Sequence, residues 1–283
     1  MTRGNGRPGS AHPGLGTGGA RWVSRGDLRI LTWEAFAPAA DVAVTTTQGG
    51  VSVGPYATLN LSLAVGDQPE RVLENRRRAA GALGAGLDDL VLANQVHGGR
   101  AVVVNDTDRG RGARDAADTV ADADALVTTG PGPVLVVLTA DCVPMVLCDP
   151  AAGVLAVVHA GWRGTVAHVG PAAVETMVGL GADPRRMVVG IGPAVFHGRY
   201  QVGPEVAGAA DASFGAAGAI RPDGHGRWLL DLPAANTYLL ERCGVPAGQI
   251  HRCTLATGEP GHFFSDRDVR PCGRFGLLAR LRG

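Results

Sequence analysis

Three residues in the middle of the chain have the chemistry of metal ligands. They are His97 in Asn-Gln-Val-His-Gly, Cys142 in Thr-Ala-Asp-Cys, and His159 in Val-Val-His-Ala-Gly-Trp-Arg-Gly. Two imidazoles and a thiolate leave one tetrahedral position open, which is typical of a catalytic zinc. Water bound there would have its pKa lowered to about 7, so that hydroxide would form near neutral pH. Taken singly, each residue is more often an ordinary core or loop residue, and that alternative stays open.

The segment after His159 has the pattern of an anion site. Glycines flank Trp162 and Arg163 where a predicted strand gives way to a helix that begins near Thr165. Backbone N–H groups at a helix start, together with the planar guanidinium of Arg163, would bind an anion. A tight turn with the arginine in solvent is the alternative. Pro171 is expected to bend or restart the helix.

Short apolar runs predict the strands that must position these residues. The strongest runs are 90–93, 101–104, 134–139, 143–147, 154–158 and 187–191. Each is continuously apolar, which indicates burial on both faces of a sheet. Because strand ends that share a sheet edge can converge, the three candidate ligands, each beside such a run, are expected to meet there.

Two segments have the capped, periodic pattern of helices. One spans 69–83, with Asp67 as its expected N-terminal cap and Pro69 in its first turn, and the other spans 232–243, capped by Asp231. The mixed order of strands and helices predicts a layered fold in which helices cover sheet faces.

The domain organisation is predicted to be a tail followed by one domain. Residues 1–26 are rich in Gly, Pro, Ser and Arg and have no apolar period, so ordering them would not repay its entropy cost, and we expect a disordered tail. Residues 27–283 contain no second linker of this kind and no repeat of fixed period, which favours a single domain.

The overall composition excludes several classes of protein. The 283 residues include 26 Lys+Arg and 26 Asp+Glu, so the basic excess of a protein that binds nucleic acid or an anionic membrane is missing. All the basic residues are arginine, which rules out Schiff-base enzymes, P-loop NTPases and protein kinases. The 5 cysteines form no CxxC pair and no apolar run is long enough to span a membrane, so we expect a soluble cytoplasmic protein.

Short motifs occur in a fixed order between residues 42 and 281. They include Gly49-Gly-Val-Ser52, Leu59-Asn-Leu61, Asn75-Arg76-Arg77, Asn94-Gln-Val-His-Gly98, Ala123-Asp-Ala125, Leu138-Thr-Ala-Asp-Cys142, His159-Ala-Gly-Trp-Arg-Gly164, Phe263-Phe-Ser265 and Gly273-Arg274. In these motifs the chain resembles the YfiH/YlmD-like family, once called multicopper polyphenol oxidase or laccase domain proteins and now associated with purine nucleoside phosphorylase activity.

The resemblance implies a fold, a metal and a reaction. The fold would be α+β, a single domain of two packed mixed β-sheets flanked by helices in α/β/β/α layers. The metal would be zinc, held by the residues that match His97, Cys142 and His159, with copper less favoured. The reaction would be phosphorolysis of adenosine, inosine, guanosine and methylthioadenosine by inorganic phosphate, together with hydrolytic deamination of adenosine.

Catalytic roles follow from this resemblance. Cys142, Asp141 and Arg163 are the predicted catalytic residues. In deamination, Asp141 would carry a proton while hydroxide attacks C6 of adenine. In phosphorolysis, Arg163 would hold phosphate during its attack on C1′ of the ribose. A structural carboxylate at the end of a strand is the alternative for Asp141.

Substrate contacts are predicted at Asn60, Arg163, Arg267 and Arg274. Asn60 would contact the ribose or the base, and the arginines would add positive charge. A turn-stabilising amide is the alternative for Asn60, and surface ion pairs are the alternative for Arg267 and Arg274. His262 is expected to approach the same pocket.

The chain departs from the family's pattern at three places. Thr47 stands where an arginine commonly precedes the Gly-Gly pair, Gly198-Arg-Tyr-Gln-Val202 replaces the frequent Cys-Cys-Tyr-Glu-Val, and Asp266 replaces the usual aromatic residue or histidine. These differences bear on the substrate site and leave the three metal ligands in place.

Three other functions compete with the phosphorylase. A laccase-type copper protein needs many imidazoles, usually in His-x-His pairs, and this chain has 8 histidines and no such pair. A metal-free cysteine hydrolase would use Cys142 as nucleophile and His97 or His159 as base. An accessory factor for peptidoglycan editing would keep the fold with a decayed purine site.

Overall fold

The computed structural model describes residues 19–195, 197–258 and 261–283. These residues form five α-helices, which are α1 (Pro69–Gly81), α2 (Trp162–Val166), α3 (Val169–Gly179), α4 (Pro204–Phe214) and α5 (Leu232–Arg242). They also form 17 β-strands, which are β1 (Ala20–Arg25), β2 (Leu28–Trp33), β3 (Ala40–Val44), β4 (Leu90–Leu92), β5 (Ala101–Val103), β6 (Ala125–Thr128), β7 (Val134–Thr139), β8 (Val143–Asp149), β9 (Val154–Ala160), β10 (Val188–Ile191), β11 (Ala194–Val195), β12 (Gln201–Val202), β13 (Ile220–Gly224), β14 (Arg227–Leu230), β15 (Ile250–Arg252), β16 (Ala256–Thr257) and β17 (Phe275–Leu281).

Most of the strands belong to two six-stranded mixed sheets. Sheet I has the order β1-β2-β3-β17-β7-β4, and sheet II has the order β15-β10-β8-β9-β6-β5. Within these two sheets, neighbouring strands are antiparallel except for β4 with β7, β5 with β6, and β10 with β15. The remaining strands form a two-stranded sheet, β11-β16, and a three-stranded sheet, β12-β14-β13.

The alternation of side chains along the strands explains why the two sheets stack. In β8, Val146 packs in the core between the sheets, whereas Met145 and Leu147 join the core that includes the apolar faces of α3 and α5. In β7, Leu135 lies between the sheets and Val136 packs on the side of α1. Each such fully buried side chain contributes roughly 1.5–3 kcal/mol. The predicted α+β fold with α/β/β/α layers is therefore confirmed.

The predicted strands are all present, with small shifts at their ends. Strand β7 has the predicted bounds, and β8 and β9 each continue two residues further than the apolar runs indicate. Every residue of β8 and β9 is buried, as expected for continuous apolar strands covered on both faces.

The predicted helices differ at their starts and ends. Helix α5 has the predicted cap, because the carboxylate of Asp231 accepts a hydrogen bond from the backbone N–H of Ala234 at 2.8 Å. Helix α1 ends at Gly81, and its N-terminal cap is Gln68. Asp67 does not cap it, because one carboxylate oxygen instead accepts hydrogen bonds from Ser52 and Asn60.

The helix expected near Thr165 is two helices. Helix α2 ends at Val166, and α3 begins at Val169 after His168, which has a left-handed backbone with φ of 59°. Pro171 lies in the first turn of α3, where its missing N–H costs no helical hydrogen bond. The predicted restart is confirmed. None of the helices in the described part of the chain is long and apolar enough to cross a membrane.

Strand β1 corrects part of the predicted tail. Residues 20–25 pair with β2 in antiparallel register from Ala20 opposite Trp33 to Arg25 opposite Leu28. The prediction of disorder was therefore wrong for this segment, because Trp22 and Val23 pack against the core clusters despite their polar surroundings in the sequence. Residues 1–18 of the predicted tail lie outside the described residues.

Candidate metal centre and active site

The three predicted metal ligands meet at one end of sheet II. His159 lies near the end of β9, Cys142 immediately precedes β8, and His97 lies in the connection between β4 and β5. In the antiparallel pair of β8 and β9, His159 lies opposite Pro144. Cys142 lies two residues before Pro144, so it is a diagonal neighbour of His159 on the same face. One ligand atom from each residue lies within 4.8 Å of the other two, which is close enough for the three to share one ion.

A buried carboxylate holds the loop that carries His97. The backbone N–H groups of Val96, His97 and Gly98 donate to the two oxygens of Asp124 at 3.2, 3.0 and 2.6 Å. His97 has a left-handed backbone with φ of 60°, a conformation that costs about 1–2 kcal/mol in a residue with a Cβ. The three hydrogen bonds to one carboxylate offset that cost and fix the direction of the imidazole.

The same carboxylate orients His159. Nδ1 of His159 lies 2.9 Å from Oδ1 of Asp124, and both side chains are buried. Burial alone raises the pKa of Asp124, but the hydrogen bonds from His159 and from the backbone of Gly98 and His97 outweigh it and lower the pKa overall. An ionised carboxylate on Nδ1 leaves Nε2 as the ligand nitrogen, which is the arrangement behind most metal-binding histidines.

The thiol of Cys142 is set to ionise. Burial raises its pKa, but the charges and hydrogen bonds of His159 and His97 outweigh burial and lower the pKa below its usual value. The reverse holds for His159, where burial lowers the pKa and the interactions with Cys142 and Asp124 raise it above its usual value. A thiolate is the form that binds a divalent ion and the form that attacks as a nucleophile, so this arrangement suits either role.

A glycine makes room for the three ligands. A Cβ added at Gly161 would lie 2.8 Å from Sγ of Cys142 and 2.9 Å from Cδ2 of His97. The rings of His97 and His159 pack edge to face, with centroids 4.9 Å apart. The glycine that follows the His159 strand in the sequence therefore has a steric role in the metal centre.

The metal centre opens on a cavity of about 480 Å³, a volume within the usual range for small-molecule sites. All three metal ligands and Tyr200 line it. The arginines among the described lining residues are Arg76, Arg267, Arg270 and Arg274. The cavity thus combines a soft metal-binding group with positive charge.

Asp141 lines the cavity, but its carboxylate is already hydrogen bonded. It accepts from Oγ of Ser265 at 2.8 Å, from the backbone N–H of Arg267 at 2.7 Å, and from the hydroxyl of Thr257. These contacts tie the turn between β7 and β8 to the segment around residue 265. Its predicted role in proton transfer stays a prediction.

Arg163 lies outside the lining residues of the cavity. Its side chain is exposed, and its guanidinium carbon lies 4.3 Å from the ring centroid of Trp162. Burial raises the pKa of Tyr200, which does line the cavity, to about 12. The role of Arg163 in holding phosphate stays a prediction.

Asn60 does not reach the cavity. Its amide nitrogen donates to the carbonyl of Ser62 and to Asp67, and its oxygen accepts from the backbone N–H groups of Ser62 and Arg274. The residue is fully buried, and all four hydrogen-bonding positions of its amide are used. These hydrogen bonds match the alternative role of a turn-stabilising amide, in which Asn60 holds the loop next to Arg274, and the predicted substrate contact stays a prediction.

The two other predicted substrate-binding arginines do line the cavity. Arg267 donates to the backbone carbonyl of Gln201 at 2.8 Å, and its guanidinium carbon lies 5.8 Å from the ring centroid of Tyr200. Arg274 forms an ion pair with Asp266 at 2.9 Å. His262 is not among the lining residues, and its ring lies 5.1 Å from that of Trp22.

The sequence reasoning missed Asp124, Arg76 and Arg270. A signal existed for the first two, because Ala123-Asp-Ala125 and Asn75-Arg76-Arg77 belong to the ordered motifs. Asp124 is flanked by alanines at the start of an apolar run, and a polar group buried in such a position is expected to be hydrogen bonded.

Comparisons with known proteins identify a family and several relatives of this chain. Residues 41–282 match the family described as multi-copper polyphenol oxidoreductase laccase. A purine nucleoside phosphorylase of Deinococcus radiodurans is 43% identical over 241 residues, which cover 84% of this chain and 88% of that protein. Adenosine deaminase RL5, from an unknown prokaryotic organism, is 41% identical and the match covers 80% of this chain and 87% of that protein. The crystal structure of YlmD from Geobacillus stearothermophilus superposes with a TM-score of 0.87 at 34% identity and covers 93% of this chain and 99% of that chain.

Proposed function

The chain belongs to the family described as multi-copper polyphenol oxidoreductase laccase, and we propose that it is a zinc-dependent purine nucleoside phosphorylase that also deaminates adenosine. One observation carries this proposal: His97, Cys142 and His159 form one ligand group on the wall of a cavity that arginines also line. Adenosine, inosine, guanosine and methylthioadenosine would be the nucleosides, and inorganic phosphate would be the second substrate. The names of the Deinococcus protein and of RL5 support the two activities.

The donor set favours a single zinc ion over a cluster of coppers. Two imidazoles and one thiolate suit zinc, and a carboxylate on Nδ1 of His159 completes the usual outer shell. A multicopper centre needs further imidazoles, whereas among the described residues His97, Cys142 and His159 are the one group of His, Cys, Asp and Glu close enough to hold a metal. Zinc supplies a Lewis acid that can activate water or a polar atom of the purine.

Phosphorolysis requires the protein to bind an anion beside a nucleoside. A phosphate oxygen attacks C1′ of the ribose, the bond from C1′ to the base nitrogen breaks, and the base leaves with that electron pair. The arginines of the cavity, Arg267 among them, would hold the phosphate and stabilise its charge. Deamination needs no phosphate, because water adds to C6 of adenine and ammonia leaves.

A cysteine hydrolase is the second candidate, and one specific contact favours it. Cys142, His159 and Asp124 form a continuous chain of thiol, imidazole and carboxylate, and the pKa of Cys142 is lowered by its imidazole neighbours. This is the arrangement of a nucleophile, a base and the group that orients the base. Both functions would use Cys142 and His159, and they differ in whether an ion is bound and in whether phosphate is a substrate.

Chromatography of reaction products tests the proposed function. Purified protein is incubated with adenosine, with and without inorganic phosphate, and adenine, inosine and hypoxanthine are separated. We expect adenine to require phosphate and inosine to form in its absence. His97→Ala should remove both the bound zinc and both activities, whereas the control variant His225→Ala, at an exposed turn between β13 and β14, should keep them. An inactive wild-type protein with bound zinc would contradict the proposal.

A thiol-directed experiment decides between the two candidates. Protein loaded with zinc is treated with iodoacetamide, and activity, metal content and the modification of Cys142 are measured together. The zinc enzyme is expected to resist alkylation of Cys142 as long as the metal stays bound. Complete inactivation with stoichiometric zinc retained would favour the cysteine hydrolase.

A further inference from the structure

We propose that Arg76, on the buried face of α1, binds the inorganic phosphate in the cavity. The inference rests on the proposed function, since it assigns the group that holds one of its two substrates. Arg76 was not among the residues to which the sequence gave a role, and Arg163, which was, does not line the cavity.

The hydrogen bonds of Arg76 leave one side of its guanidinium free. Its Nε donates to the carbonyl of Leu61 at 2.8 Å, and its Nη1 donates to the carbonyls of Gly112 and Ala113 at 2.6 and 2.8 Å. Within the described residues, Nη2 has no hydrogen-bond partner, and Arg76 lines the cavity. Since a guanidinium has five N–H donors, its two Nη2 donors are available to a ligand.

The charge of Arg76 has no counter-ion among the described residues. The side chain is 5% exposed, and all three of its acceptors are neutral carbonyl oxygens. Leaving a buried cation without an anion is costly, and burial lowers the pKa of Arg76 to about 10. The group is still charged at neutral pH, so an anion that enters the cavity would gain a partner with little competing solvent.

The other arginines of the cavity offer less to an anion. Arg270 and Arg274 both form ion pairs with Asp266, at 2.7 and 2.9 Å. Arg267 has no carboxylate partner in the described part of the chain, but it is exposed and donates to the carbonyl of Gln201. A phosphate beside Arg76 would therefore meet a buried cation that has no carboxylate partner among the described residues, and Arg267 is the second such cation in the cavity wall.

The three carbonyls also fix the position of the guanidinium. They come from separate parts of the chain, Leu61 and the adjacent residues Gly112 and Ala113, so the side chain cannot rotate without losing hydrogen bonds. A planar fork held in one orientation binds phosphate with little loss of conformational entropy. A residue that merely tied α1 to these loops would not need to open on the cavity.

Calorimetry with inorganic phosphate tests the proposal on the intact zinc-loaded protein. We expect the wild-type protein to bind one phosphate and Arg76→Met to weaken binding by tenfold or more. The matched control is Arg77→Met on the same helix, because Arg77 is 59% exposed and forms an ion pair with Glu74. The control should bind phosphate within twofold of wild type. Equal phosphate affinity in Arg76→Met and wild type would overturn the proposal.

Kinetics separate a binding role from a structural role. If Arg76 binds phosphate, Arg76→Met raises KM for phosphate in phosphorolysis and leaves phosphate-independent deamination of adenosine close to wild type. Equal losses in both reactions would instead show a structural role and refute the proposal. A wild-type protein that binds phosphate through Arg76 but cleaves no nucleoside would refute the proposed function and leave this inference standing.

Two further measurements keep the test independent of the folding of one variant. Arg76→Lys keeps the charge but loses the fork, and it is expected to fold and to bind phosphate at least fivefold more weakly than wild type. Wild-type crystals grown with phosphate should show a phosphate oxygen within hydrogen-bonding distance of Nη2. The proposal would be overturned if the crystals showed phosphate bound in the cavity away from Arg76. It would also be overturned if Arg76→Lys bound phosphate with wild-type affinity and the crystals showed the phosphate elsewhere.

Discussion

Replacing Asp124 with asparagine removes the one carboxylate that orients both histidine ligands. Oδ1 accepts from the backbone N–H of His97 and from Nδ1 of His159, and Oδ2 accepts from the backbone N–H groups of Val96 and Gly98. Asparagine has the same shape but only one oxygen. Whichever way its amide turns, two of the four donors face an NH₂ group.

The loss of stability in Asp124→Asn can be calculated from the donors that lose their acceptor. A buried donor left without an acceptor costs about 1–3 kcal/mol. Asp124→Asn should therefore lower the free energy of unfolding by roughly 2–6 kcal/mol if the NH₂ group faces Val96 and Gly98, and by about 1–3 kcal/mol if it faces His97 and His159, because the imidazole can then accept through Nδ1. If the NH₂ group faces His159, that imidazole carries its proton on Nε2 and cannot offer Nε2 to a metal. Loss of such an outer-shell partner typically weakens metal binding by about 10–100-fold, and we expect zinc affinity to fall by this amount.

Chelator competition and thermal unfolding measure the two quantities. The matched control is Asp122→Asn, because Asp122 lies two residues away, is exposed, and accepts a hydrogen bond from Asn94 at 3.3 Å. The control should stay within about 0.5 kcal/mol of wild type, as surface substitutions usually do. The reasoning fails if Asp124→Asn binds zinc with wild-type affinity, or if it destabilises the protein no more than the control does.

Two other predictions concern the ligand group itself. Gly161→Ala should displace Cys142 or His97 and lower the zinc content of the purified protein, since its Cβ would lie 2.8 Å from Sγ, whereas Gly208→Ala, where an added Cβ meets nothing within 4 Å, should keep full zinc content by elemental analysis. In the metal-free protein, the thiolate fraction of Cys142 rises as pH increases through its lowered pKa, so iodoacetamide should alkylate it at a lower pH than an ordinary thiol requires. Cys148, whose pKa burial raises to about 12, should stay unmodified, and mass spectrometry showing equal rates at the two cysteines would contradict this assignment.

A local sequence pattern is enough to predict a strand when the strand's own residues show that it is buried. Apart from Thr139 at the end of β7, the runs that form β7, β8 and β9 are apolar, so their burial could be inferred without knowing their partners. Strand β17 was not among the strongest runs, although it lies in the centre of sheet I between β3 and β7. Its pairing joins residues more than 130 positions apart, such as Leu277 with Val137, and no local pattern reports such a contact.

The same limit explains which site residues could be predicted. His97, Cys142 and His159 could be proposed because their side chains have metal-binding chemistry wherever they lie. Asn60, Asp124 and Arg76 could not be assigned in this way, because a buried amide, carboxylate or guanidinium acquires its role from its hydrogen-bond partners. For Asn60 one of those partners is the backbone of Arg274, 214 residues away.

Asp266, which replaces the family's usual aromatic residue or histidine, changes how much positive charge the cavity offers to an anion. Its carboxylate forms ion pairs with both Arg270 and Arg274, so two of the four cavity arginines share one negative charge within the protein. If the residue at this position were aromatic, those two arginines would be free to bind an anion. Among the described residues, Arg76 and Arg267 are the cavity arginines whose side chains have no carboxylate partner. The single variant Asp266→Phe should therefore bind phosphate more tightly than wild type, and adding Asp266→Phe to Arg76→Met should partly restore the lost affinity. Calorimetry that showed no gain in either case would exclude this role for Asp266.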